Sequence, residues 1–104
     1  MNSGFFRITK DHLTGEYDGK MWHIIDADQY GDVAQFYENT GKDHKLTNPM
    51  PVKVRLYDDD DILYYDGDTE SEELLMAIFV YFQSDSGTTR MDAKIPKAKW
   101  ERWT

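Results

Sequence analysis

Hydrophobic and polar positions alternate along much of this chain in short runs. From Gly4 to Thr9, Phe6 and Ile8 fall on one side and Phe5, Arg7 and Thr9 on the other, the period of two that a strand requires. Met21 to Ile25 joins aromatic and β-branched residues directly after Asp18-Gly19, so these two segments are expected to form a hairpin. Val52, Val54 and Leu56 alternate with Lys53, Arg55 and Tyr57 to give the clearest strand in the chain. Ile62 to Tyr65 reads as its partner, with Asp58 to Asp61 as the solvent turn between them and Asp66-Gly67 as the stop. Thr88 to Ile95 alternates Thr89, Met91, Ala93 and Ile95 against Thr88, Arg90, Asp92 and Lys94, and Lys99 to Trp103 can return beside it.

Two segments carry a helical period instead. Between Gln29 and Asn39 the apolar residues are Tyr30, Val33, Phe36 and Tyr37, spaced for one helical face, with Gly31 weakening the first turn and Gly41 a plausible stop. Leu74, Leu75, Ile78, Phe79 and Phe82 recur at the spacing of a buried helical face. A fully buried strand also fits that apolar run, but Thr69 followed by Glu72 matches a helix cap and favours the helix. Lys42 to Pro51 is expected to be a connecting loop, broken by Asn48-Pro49 and Pro51. The elements add up to an α+β domain over residues 1–104, a small antiparallel sheet of about five or six short strands with one or two helices packed on it.

Charge changes the picture of the surface. The 104 residues carry a formal net charge of -8, with 39% hydrophobic and 14% aromatic residues, too apolar a composition for a disordered acidic tail. Residues 58–89 hold 10 acidic side chains and no basic one, whereas residues 90–104 hold 5 basic and 2 acidic ones. Such separation makes a molecule of opposed patches unless folding brings them together. No apolar stretch approaches a membrane span and the first thirteen residues lack a signal-peptide core, so a cytoplasmic location is expected. With no cysteine there is neither a disulfide nor a thiol nucleophile.

The acidic segment is the leading candidate site. Asp58, Asp59, Asp60, Asp61, Asp66, Asp68, Glu70, Glu72 and Glu73 place nine carboxylates in sixteen residues, with Tyr64 among them. Such a surface can steer a basic protein by charge and anchor it by its aromatics, in the extreme by imitating the phosphates of a nucleic acid and inhibiting the partner. The expected function is therefore non-catalytic binding of a basic, nucleic-acid-associated protein, and the alternative is an assembly subunit forming homo-oligomers. A metal site is not expected. A calcium loop counted from Asp66 has Ser71 and Ala77 where Gly and Glu belong, and one counted from Asp26 has Tyr30 and Tyr37 at ligand positions.

Catalytic signatures are missing as well. His12, His23 and His44 belong to no recognised catalytic pattern, and no phosphate loop, nucleophile elbow or dinucleotide fingerprint occurs, so neither an enzyme nor a cofactor is expected. Were there chemistry, Asp26, Asp28 and His23 would be the first residues to test. The C-terminal group of Arg90, Lys94, Lys97, Lys99 and Arg102 with Trp100 and Trp103 has the composition of a nucleic-acid surface. Its simpler explanation is that the cations pair with the acidic centre while one Trp packs inward and the other covers the sheet edge, so direct DNA or RNA binding is not expected.

Overall fold

The structure, a computed structural model, describes residues 2–15, 21–28, 34–39 and 50–104. Among these residues seven strands form one sheet: β1 (Asn2–Asp11), β2 (Met21–Ala27), β3 (Gln35–Asn39), β4 (Val52–Tyr57), β5 (Leu63–Thr69), β6 (Arg90–Lys94) and β7 (Glu101–Arg102). Their order is β3-β2-β1-β5-β4-β6-β7, and every neighbouring pair is antiparallel. A 3-10 turn (Glu72–Leu74) leads into the helix α1 (Leu75–Ser86), which packs on one face. The α+β class holds, with one helix among the described residues and a somewhat larger sheet than the sequence indicates.

Alternation decides which face is buried. Phe6, Ile8, Trp22, Ile24, Val52, Val54, Leu56, Met91 and Ala93 all turn toward α1 and are buried, as the period of two requires. The helix answers with Leu75, Ala77, Ile78 and Phe82. Phe82 is the hub: its ring meets Phe6 at 5.6 Å, Trp22 at 5.4 Å and Tyr65 at 5.4 Å, in edge-on and tilted geometries that suit the aromatic quadrupole. Gly87 ends the helix at φ 77°, a left-handed conformation that glycine adopts without a Cβ penalty.

Four local expectations are corrected. The helix across Gln29 to Asn39 gives way to a strand at Gln35–Asn39, while residues 29–33 lie outside the described part. Pairing with β2 sets Ile24 beside Phe36 and His23 beside Tyr37, so the Phe-Tyr step is an inward-outward alternation rather than part of a helical stripe. Asp66-Gly67 does not stop β5, which runs on to Thr69 because Ile8 of β1 and Val54 of β4 pair with Gly67 on either side. Thr69 is not a helix cap either, for its hydroxyl donates to the Phe5 carbonyl at 2.8 Å and ties β5 to β1. The Asp58 end of the turn is buried, for a reason given below. The expected loop at 42–49 falls outside the described residues.

Candidate functional site

Strand pairing distributes the acidic segment over three places. Asp58 to Asp61 occupy the β4–β5 turn at one end of the sheet, Asp66 and Asp68 lie in mid-strand on the face away from α1, and Glu70, Glu72 and Glu73 follow the other end of β5. The seven-residue strand between the two ends is about 20 Å long. The nine carboxylates thus do not make one continuous surface.

The turn is built from its own aspartates. Asp58 Oδ1 accepts hydrogen bonds from the backbone N–H groups of Asp60 and Ile62, both at 2.9 Å, and the residue is only 9% exposed. This Asx geometry is the reason a carboxylate can be buried there. Asp61 takes a positive φ of 60° and accepts from Arg90 at 2.8 Å. Asp59 and Asp60 remain exposed, beside an Ile62 side chain that is 56% exposed. A carboxylate oxygen from each of Asp58, Asp59 and Asp60 can be placed within 4.8 Å of the others, but Asp58 is already engaged in shaping the turn. Partial burial and the nearby Asp58, Asp59 and Asp60 carboxylates, the first of them hydrogen-bonded to it, push the Tyr64 phenol pKa above its ordinary value.

Mid-sheet, the acids are neutralised within the chain. Asp68 is 2% exposed; Arg7 grips it with Nε at 3.0 Å and Nη2 at 2.6 Å, and Lys53 Nζ stands 3.5 Å away. That hydrogen bond, then the charge, holds the Arg7 guanidinium pKa above its usual value despite partial burial. Asp66 is shared between Arg55 Nε at 3.3 Å and His12 Nε2 at 2.6 Å. Arg90 forks onto Asp92 at 3.1 and 2.8 Å in addition to Asp61, and its pKa too is raised, by the Asp92 bonds first and Asp61 second. These are charge-assisted forks of the kind a guanidinium favours.

The third group is polar and wet. Glu72 and Glu73 are exposed in the first turn of the 3-10 segment, where they face the positive end of α1's dipole, and Glu70 is half-buried with its N–H on the Phe5 carbonyl.

The remaining candidates separate cleanly. His23 stacks on Phe5 with centroids 4.6 Å apart on the face away from the helix, and Asp26 is an exposed residue at φ 60°. Trp103 packs against the core and donates its backbone N–H to the Met91 carbonyl, whereas Trp100 is 37% exposed with the Arg55 guanidinium 4.2 Å from its ring centre. A groove of about 310 Å³ runs beside it between Lys10, Lys53, Arg55, Asp66 and Trp100. Two features lie outside the candidate site residues that the sequence singles out. Ile62 is an exposed anchor beside the acids, and Arg7, Lys53 and Arg55 share one sheet face. The second had a signal, since Lys53 and Arg55 alternate against Val52, Val54 and Leu56 just as Arg7 does against Phe6 and Ile8. No described helix is long and apolar enough to cross a membrane. No family model, no curated protein and no solved structure matches the chain.

Proposed function

We propose that this protein acts without chemistry of its own, by binding a basic protein through the tip of the β4–β5 hairpin. The observation that carries this reading is the division of labour among four consecutive aspartates. Asp58 and Asp61 are consumed in holding the turn, and that fixed turn presents Asp59 and Asp60 to solvent next to the exposed Ile62. Two charges on a rigid turn lose little conformational entropy on docking, steer a cationic partner and reject anionic ones. Ile62 supplies the apolar contact that exposed charges alone do not.

The contact is narrower than the whole acidic segment. Asp66 and Asp68 serve internal ion pairs, and Glu72 and Glu73 lie at the far end of the strand. Carboxylates in place of phosphates make a nucleic-acid-associated partner in the cytoplasm the natural target, with inhibition or scaffolding as the consequence. The homo-oligomer alternative loses Phe6, Trp22, Tyr65 and Phe82 as contacts, since these four rings are already inside the fold.

The test is affinity capture from native lysate with three forms of the chain. Wild type and Glu72→Gln/Glu73→Gln should retain the same basic protein and release it as salt rises, while Asp59→Asn/Asp60→Asn/Ile62→Ser should lose it. An unchanged partner set in the tip variant overturns the reading. Self-association that persists at high salt would move the weight to the assembly subunit.

A further inference from the structure

The face of the sheet away from α1 has the opposite sign from the molecule as a whole. The pairings Arg7 with Asp68, Asp68 with Lys53 and Lys53 with Lys94 set these residues in one row, and Asp66, Arg55, Asp92 and Arg102 form the next. Directly paired residues share a face, so both rows look outward together.

Mid-sheet, Arg7, Lys53 and Arg55 stand above the acids they pair with. In the pairs Arg7–Asp68 and Lys53–Asp68 the basic side chain is 36% and 53% exposed against 3% for the carboxylate. Arg55 is 42% exposed against 28% for Asp66, whereas toward the hairpin tip the order reverses, with Arg90 at 26% below its partner Asp61 at 72%. A short Asp sits at the sheet floor while the long Arg or Lys stem arches over it with its charge in water. A solute approaching this face therefore meets guanidinium and ammonium groups first. The protein's net charge of -8 is carried largely elsewhere, and at physiological salt charges more than about 8 Å away are screened.

Exposed rings flank the cations. Trp100 borders the groove that Lys10, Lys53 and Arg55 line. Across the sheet, Tyr37 is 53% exposed at the end of the row Phe5, His23, Tyr37. Four strand spacings, about 19 Å, separate β3, which bears Tyr37, from β4, whose Arg55 contacts Trp100. Cations between stacking rings on an open sheet fit a flexible chain of phosphates and bases. A duplex would keep its bases out of reach of such rings, and an acidic peptide would leave them unused.

We infer that this face binds single-stranded nucleic acid, with Arg7, Lys53 and Lys94 taking phosphates and Trp100 and Tyr37 taking bases. Recognition is by charge and stacking, without base-edge reading, so little sequence preference is expected. The surface is distinct from the hairpin tip, and the two proposals stand or fall separately.

Fluorescence anisotropy with labelled oligo(dT) and oligo(U) of about 12 nucleotides tests the inference. Wild type should bind saturably at about 50 mM salt, with affinity falling linearly on a log-log salt plot. Lys53→Gln/Lys94→Gln should flatten that slope by about 1.4, near 0.7 per lost phosphate contact. Trp100→Ala should weaken binding at least about fivefold and Trp100→Phe much less, with Asp59→Asn/Asp60→Asn showing no loss. Circular dichroism and thermal melts identify any variant that fails to fold, in which case the lysine pair and Trp100→Phe carry the test. Absence of wild-type binding at low salt overturns the inference, as does folded variants binding like wild type. Equal binding of inorganic polyphosphate with no dependence on residue 100 also overturns it, since that describes generic polyanion attraction.

Discussion

Arg7 and Asp68, 61 positions apart in the chain, meet through two parallel hydrogen bonds of 3.0 and 2.6 Å at the junction of β1 and β5. The pair is lopsided, with the carboxylate almost fully buried and the guanidinium 36% exposed. Removing the exposed partner should therefore hurt more than neutralising the buried one. Arg7→Ala leaves Asp68, among the described cations, with Lys53 at 3.5 Å and is expected to cost about 2–3 kcal/mol, less than for a fully buried pair because water reaches Arg7. Asp68→Asn keeps one acceptor oxygen for the fork, loses the second, and removes the buried charge, and should cost about 1 kcal/mol. Urea unfolding of both variants measures the difference, and equal costs would show that the fork is not what stabilises this junction.

Gly67 has a steric role where the sequence reads as a turn. A Cβ there would lie 2.6 Å from the Arg7 carbonyl oxygen and 2.6 and 2.8 Å from two atoms of the Phe6 ring. Because one obstacle is backbone, Gly67→Ala is expected to destabilise by about 2–3 kcal/mol. Gly87 is the control, at φ 77° with nothing within 4 Å, so Gly87→Ala should cost only about 1 kcal/mol of conformational strain. Denaturation midpoints that rank the two the other way would contradict the close approach of β1 to β5.

Thr88 carries a buried hydroxyl without a hydrogen-bond partner among the described residues, although its backbone N–H is satisfied by Phe82. Thr88→Val keeps the shape and removes the desolvated oxygen. The expected outcome is a gain of up to about 1 kcal/mol in urea unfolding. A loss of that size would mean the hydroxyl is bonded in solution.

Tyr64 makes stability depend on alkaline pH. Its phenol pKa lies above 10.0 in the folded protein, through burial first and the Asp58 carboxylate next. Between 10.0 and that raised value the native state retains a proton that the unfolded chain has lost, so stability falls as pH rises through this window. Tyr64→Phe should flatten that limb relative to wild type, and ultraviolet titration should lose one tyrosinate that forms above the ordinary phenol range. An unaltered alkaline limb would show that Tyr64 titrates like an exposed phenol.

The β4–β5 hairpin and α1 were legible from local pattern. Val52, Val54 and Leu56 occupy the buried side that their alternation assigns them, and Leu75, Ile78 and Phe82 the buried side of the helix. Gln35–Asn39 was not legible, because Phe36-Tyr37 satisfies a helical and a strand period equally well over so few residues. The partner strand β2 decides between them.

The candidate site divides along the same line. By itself the sequence determined the strand periods, the amphipathic helix, the placement of Lys53 and Arg55 opposite three aliphatic residues, and the turn at four aspartates, because each of these depends on neighbours within a few residues. Tertiary structure alone decided which charges face water. Asp68 and Asp66 lie under Arg7, Lys53 and Arg55 because strand order sets β5 between β1 and β4, and Asp59 and Asp60 stay exposed because Asp58 closes the turn and Arg90 from β6 holds Asp61. Charge along a chain can be counted, but its sign at the surface depends on which side chains end up above the others, and that order is fixed by pairing across the sheet.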